Sequence, residues 1–155
     1  MLYRKVIPAA LIAVIWLSIP AVSHASAPPP RIEPYIDIRV TPDEVDLGTI
    51  TSFRDIRESE PVKVRVAANI PHNGIIVSGE PLKQEGGSME IPLSRIYVRR
   101  LPSGTYRSLT TPFYLTAQLP PGIFEFEILI KVHASTAETP GTYRGTITLT
   151  AGLAP

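Results

Sequence analysis

The stretch from Pro121 to Thr150 constrains this chain more than any other. Phe124, Phe126, Ile128, Ile130 and Val132 occupy every second position, with Glu125, Glu127, Lys131 and His133 between them. Successive side chains of an extended strand point to opposite faces, so this run has one apolar face and one mostly polar face. Tyr143, Ile147 and Leu149 continue in the same way, alternating with Thr142, Arg144, Thr146, Thr148 and Thr150. A helix would need apolar residues recurring at three and four positions, which neither run shows. Between the runs, Pro140 suits the second position of a type II turn and Gly141 the positive φ that follows it. The two runs are therefore expected to pair directly as an antiparallel hairpin, with Gly145 marking a bulge or the close approach of a bulky neighbour. Such a ribbon is not stable alone, so a second sheet must cover its apolar face.

The beginning of the chain has a different character. Arg4 and Lys5 precede an apolar stretch from Ile7 to Val22, and Ser23-His24-Ala25 follows with small residues where a signal peptidase reads. Residues 1–25 are thus read as a secretory signal peptide, cleaved after Ala25. The rival reading, a retained membrane anchor, is opposed by Pro8, Pro20 and the shortness of the apolar run. Of 15 Lys and Arg against 14 Asp and Glu, Arg4 and Lys5 leave with this segment, so 13 basic and 14 acidic side chains remain, for a net charge of −1. That balance gives no basic excess to attract nucleic acid or anionic lipid. About 130 residues remain, one domain of ordinary size, and the chain has no cysteine, so no disulfide framework holds it. The expected protein acts outside the cytoplasm, in the periplasm or at the cell surface, with no stable membrane insertion once the signal is removed.

Residues 26–34 form a proline-rich leader, and 35–152 the folded domain. Tyr35–Val40 reads as the first strand, with Ile36, Ile38 and Val40 on one face. Val45–Ile50 reads as a short second strand, and Ser52–Glu60 as charged and irregular. Pro61–Ile70 is a clear strand, with Val62, Val64, Val66 and Ala68 facing inward. Asn73-Gly74 is the strongest short-range hairpin signal, returning the chain through Gly74–Gly79. Glu80–Met89 reads as loop, Ile91–Val98 as one or two short strands ending at Arg99-Arg100, and Thr111–Leu119 as another strand. Seven or eight short strands separated by Pro and Gly turns, with no helix after the signal, predict an all-β fold, an antiparallel immunoglobulin-like β-sandwich.

With the strands placed, Asp46-Leu-Gly-Thr-Ile, Val64-Arg-Val-Ala-Ala-Asn, Ile91-Pro-Leu-Ser-Arg-Ile and Pro140-Gly-Thr-Tyr-Arg-Gly-Thr-Ile-Thr-Leu-Thr occur in that order. Their succession resembles bacterial exported immunoglobulin-like sandwich domains of surface, spore-coat-like and pilus-associated proteins. The resemblance covers most of the chain after the signal, and its closing P-G-x-Y-x-G-x-I-x-L-T run is the distinctive part. It implies a structural role at the surface and supplies no catalytic residues. The chain lacks the paired cysteines of many fimbrial subunits.

The chemistry-bearing residues are few. His72 falls in a predicted turn and His133 at a strand end, both read as surface residues, without the spacing of a metal site. Asp43, Glu44 and Asp46 lack the oxygen ladder of a calcium loop and read as turn and solvated positions. No G-x-S-x-G elbow, Ser-x-x-Lys or phosphate-binding glycine loop is present, so neither enzymatic activity nor a cofactor is expected. Arg95, Arg99, Arg100 and Arg107 form a small basic cluster, and Tyr106 is the best exposed aromatic; Tyr106, Arg99 and Arg100 are the candidate ligand contacts. Tyr35, Ile36, Ile38 and Val40 are a candidate strand-exchange segment, because a strand after a mobile leader can complete a neighbour's sheet. The expected partners are other envelope or surface proteins, or a second copy by strand addition. The expected function is structural or protein-binding, as in a pilus-like or coat subunit, with a carbohydrate-binding module as the alternative.

Overall fold

The computed structural model describes residues 33–51, 54–135 and 140–153, so the expected signal segment, residues 1–25, and most of the proline-rich leader lie outside the described residues. Within them the protein is all-β with antiparallel sheets, and its one short helical element is a 3₁₀ turn at Leu93–Arg95. No helix there is long and apolar enough to cross a membrane.

The longest strand, β10 (Gly122–His133), lies inside the largest sheet. One side of it pairs with β3 (Val62–Ala68) and, further along, with β2 (Ile56–Glu58); the other side pairs with β7 (Ile96–Arg100). At the sheet's edges β1 (Ile36–Thr41) pairs with β3, and β8 (Arg107–Ser108) with β7. The predicted alternation is realised here. Val62, Val64, Val66, Phe126, Ile128, Ile130 and Val132 are buried in one core cluster, with Ile36, Ile38 and Val40 partly buried against it.

A second group of strands contributes the other half of that core through Ile75, Val77, Phe113, Ile147 and Leu149. Here β4 (His72–Gly79) lies between β12 (Ile147–Leu153) and β9 (Phe113–Tyr114). Beyond them β5 (Leu82–Gln84) lies between β11 (Tyr143–Arg144) and β6 (Glu90–Ile91). Two expected hairpins are therefore absent. β10 does not pair with β11 or β12, and β3 does not pair with β4; in each case the chain passes from one sheet to another. Period-two patterning fixes which face of a strand is apolar and leaves its partner open. The Pro140-Gly141 turn is also replaced: Gly141 is nearly extended, with φ of 158°, and bridges Ile50.

Other boundaries shift for local reasons. Gly48 takes φ of 74° and donates its N–H to Asp46 Oδ1, so Val45–Ile50 is a turn-containing strap and not a strand, though Val45 and Leu47 still pack on the core. β2 forms within the charged segment 52–60. Its Arg57 donates to Asp55 Oδ2 at 2.7 and 3.0 Å and to the Thr49 carbonyl at 3.1 Å, tying the strap to the sheet. That guanidinium hydrogen bond is the main cause holding the Asp55 carboxyl below its ordinary pKa. β5 forms in the expected loop 80–89 because β11 and β6 supply partners on both sides. The expected strand 111–119 shrinks to β9 and a bridge at Leu119.

Two bulges share one construction. Between the pairs Glu58↔Lys131 and Val62↔Ile128, three residues oppose two; between Gly79↔Ile147 and Lys83↔Arg144 the same count recurs. Pro61 and Pro81 occupy these places, where a ladder donor is not needed. Opposite Pro81, a Cβ on Gly145 would stand 2.7 Å from Leu82 Cδ2, which is the close approach expected of that glycine. At the first bulge the buried Ser59 donates its N–H to the Ile130 carbonyl at 2.8 Å, and its Oγ accepts from the Ile130 N–H at 3.0 Å. Ser59→Ala leaves that buried N–H without an acceptor and is expected to cost about 1–3 kcal/mol. Urea unfolding should show a lower midpoint with unchanged slope; an unchanged midpoint would show that Ser59 Oγ is dispensable.

Candidate binding surface

Cross-strand partners share a face, so the outward face of the main sheet can be read from its register. Tyr97 pairs with Lys131, Arg99 with Leu129, Glu58 with Lys131, and Ile56 with His133. The β7–β8 register, extended by one pair beyond Tyr97↔Ser108 and Val98↔Arg107, sets Tyr106 across from Arg99. Residues from three strands and one loop thus meet on one patch.

The patch is built around a buried residue outside the main core. Leu129 is only 6% exposed, yet it lies on the outward face and not in the contiguous core cluster. Long amphipathic side chains share that face with it, an arrangement that buries apolar stems while the polar heads stay near water. The Arg99 guanidinium lies 4.8 Å from the Tyr106 ring centroid, and Lys131 Nζ 3.6 Å from the same centroid. Both distances suit cation–π attraction. Beside them the Tyr97 and His133 rings are tilted at 44°, with centroids 4.8 Å apart. Ile56, 60% exposed, forms an apolar margin. Among the described residues, Arg99 Nε and His133 Nε2 are buried without a hydrogen-bond partner, while the Tyr106 hydroxyl lies within reach of the Glu58 carboxylate and the Arg99 guanidinium. Burial first, and then the Glu58 carboxylate, push the Tyr106 hydroxyl's pKa up, against a smaller opposing effect of Arg99.

The expected basic cluster separates. Arg99 faces outward over Tyr106, while Arg100, its neighbour on the strand, points to the opposite face and stacks over Phe126 at 5.2 Å. Arg107 stacks over Phe113 at 4.2 Å, and Arg95 hydrogen-bonds Ser135 Oγ. Tyr106 and Arg99 therefore come together, and Arg100 does not join them. Tyr106 is half-buried, whereas Tyr114 is 54% exposed and is the more open ring. Lys131 and Leu129 belong to the patch without standing out in the sequence, where the interruption of the polar face of β10 by Leu129 was the available signal; His133, read there as a surface residue, is half-buried within the patch.

The candidate exchange segment lies at the sheet's edge. Ile36–Thr41 pairs in this chain with Ala68–Lys63, and Asn69 clamps its start: Oδ1 accepts from the Tyr35 N–H at 2.7 Å, and Nδ2 donates to the Glu33 carbonyl at 2.7 Å. Between the strap that follows β1 and the segment 142–147 runs a cleft of about 680 Å³, floored by Ile130, Val132 and Ile147 and edged by Asp43, Glu44 and Asp46.

His72 is not a surface residue. It is fully buried, because β4 leaves the main sheet and runs against residues 115–119. Its backbone exchanges hydrogen bonds with Leu119 at 3.1 and 3.0 Å, and Nδ1 accepts from the Gly74 N–H at 3.2 Å. Gly74, at φ of 94°, belongs to this crossing and not to a hairpin turn; a Cβ there would stand 2.2 Å from the Thr116 carbonyl oxygen. Among the described residues, no three His, Cys, Asp or Glu side chains gather as a metal-binding group.

The chain matches no protein-family model, and no curated protein is similar to it in sequence.

The raised Tyr106 pKa has a definite sign. Folding favours the protonated phenol, so its contribution to stability is complete below the ordinary value of 10.0 and is lost as pH rises through the folded value. Spectrophotometric titration of the folded protein should show one phenol ionising later than the ordinary value, and Tyr106→Phe should remove it. A late phenol that persists in Tyr106→Phe would assign the shift elsewhere.

Proposed function

We propose that this chain is a non-catalytic, exported immunoglobulin-like β-sandwich with a structural or protein-binding role in the bacterial periplasm or at the cell surface, in the manner of a pilus-like or coat subunit. The observation that carries this reading is the placement of β1. It is an edge strand bonded to β3 alone, and its inward residues Ile36, Ile38 and Val40 are only half-buried where Val62, Val64 and Val66 beside them are fully so. An edge strand of this kind can be supplied by a second copy in the same register, through main-chain hydrogen bonds and the same apolar contacts. The cleft between the following strap and the segment 142–147 supports the reading further, since it opens toward the core. The carbohydrate-binding reading has less support, because the Tyr106 ring carries the Arg99 and Lys131 cations and is not presented as a free stacking platform.

Size-exclusion chromatography with light scattering on residues 26–155 and 41–155 tests the proposal. The longer form is expected to assemble with rising concentration. The shorter is expected to be monomeric and unstable, and to be rescued by a peptide spanning Tyr35–Val40. A longer form that stays monomeric at every concentration would overturn it.

A further inference from the structure

We infer that the cleft between the strap 43–49 and the segment 142–147 is a docking site for an extended, apolar segment of a protein partner that carries Lys or Arg. The inference deepens the protein-binding reading above and rests on it for the class of partner, but not on exchange of β1. Both walls of the cleft are held in place. Ile50 and Gly141 exchange backbone hydrogen bonds at 3.0 and 2.9 Å, which join the walls at one end. On the strap, the Thr49 carbonyl accepts from Arg57 at 3.1 Å, and Asp46 Oδ1 accepts from the Gly48 N–H at 2.7 Å. On the other wall, the Thr142 and Thr146 carbonyls accept from the Glu85 and Glu80 N–H groups at 2.9 Å each. A site built in advance spares a partner the cost of ordering it.

Shape and lining point to a chain. The wall 142–147 is about 17 Å long at ~3.3 Å per residue, which suits an extended segment of five or six residues better than a compact molecule. The volume of about 680 Å³ is of the size that ligand sites take. Ile130 and Val132 lie buried beneath, while Val45, Leu47, Leu82 and Tyr143, all half-buried, carry the apolar lining to the opening.

Charge then selects the chain. Asp43, Glu44 and Asp46 are exposed along the strap, and among the described residues none of them has an ion-pair partner. The nearby basic groups are already answered: Arg57 lies 2.7 Å from Asp55, Arg144 2.5 Å from Glu85 and Arg39 2.7 Å from Asp37. The three strap carboxylates do not gather as a metal-binding group, so a cation carried on a chain beside them is the complement they suit. In an extended segment, alternate side chains can enter the cleft while a Lys or Arg between them faces the strap. The long stem of such a residue adds apolar contact at the rim. A cationic sugar fits less well, because Tyr143 packs against the core and offers no open ring.

Isotope-labelled residues 26–155 are titrated with four probes and followed by amide chemical shifts. The probes are acetylated Val-Lys-Val-Lys-Val amide, its counterpart with Gln for Lys, its counterpart with Gly for Val, and a glucosamine trimer. The first peptide is expected to shift amides at Val45–Thr49, Leu82 and Thr142–Ile147, and the two counterparts to leave them in place. Asp43→Asn combined with Glu44→Gln, both at exposed positions, should weaken binding by about fivefold or more. Glu125→Gln, on the outward face of the main sheet, should leave it unchanged. Absence of shifts in this region with the unmodified protein would overturn the site. So would equal binding of either counterpart peptide, or binding unaltered in the double variant. A glucosamine trimer that binds as well as the first peptide would overturn the protein partner in favour of a cationic polysaccharide. A chain that light scattering finds monomeric at every concentration would remove strand exchange and leave this titration to decide the cleft.

Discussion

β10 is hydrogen-bonded on both sides over its central stretch, Ile128–Val132. Ile128 pairs with Val62 on one flank and Arg100 on the other, and Lys131 with Glu58 and Tyr97. Its inward residues Phe126, Ile128, Ile130 and Val132 supply the middle of the core. On its outward face Leu129 anchors a second, smaller apolar contact. Each further strand of that sheet, β1 and β8 included, is placed through β3 or β7, which are themselves placed by β10. A strand with both faces occupied and both edges paired exposes little that solvent can replace, and so fixes its neighbours' register.

Proline and glycine decide where the ladders break. Pro61 and Pro81 each sit in a bulge, Ser59 replaces a lost ladder contact with its hydroxyl, and Gly74 and Gly145 admit close neighbours that a side chain would exclude. These devices bend the strand pairs without leaving their backbones unsatisfied. The outward patch follows from the same register. Because Arg99 and Arg100 are adjacent on β7, alternation must separate them, sending one to Tyr106 and the other to Phe126.

Much of the fold was legible because burial on one face leaves a period-two trace. The inward sets on β3, β10 and β12 were read from that trace, as was the all-β class. Pairing was not, since the trace is the same whichever strand lies alongside. Short strands such as β2 and β5 escaped because partners, and not propensity, make them. His72 looked like a turn residue because Asn73-Gly74 carries a strong local signal, which the contact of Gly74 with residues 116–117 explains in another way. Arg99 and Tyr106 stood out as residues in sequence, while Lys131 and His133 joined them only once β7 was set beside β10.

The measurement that bears most directly on this account is native-state amide hydrogen exchange, residue by residue. If β10 organises the structure, the amides of Ile128–Val132 should be the slowest to exchange, at the free energy of global unfolding, with β3 and β7 close behind. Those of the edge strand β1 should exchange through smaller local openings. Exchange in β10 no slower than in β1 would contradict the central place given to it.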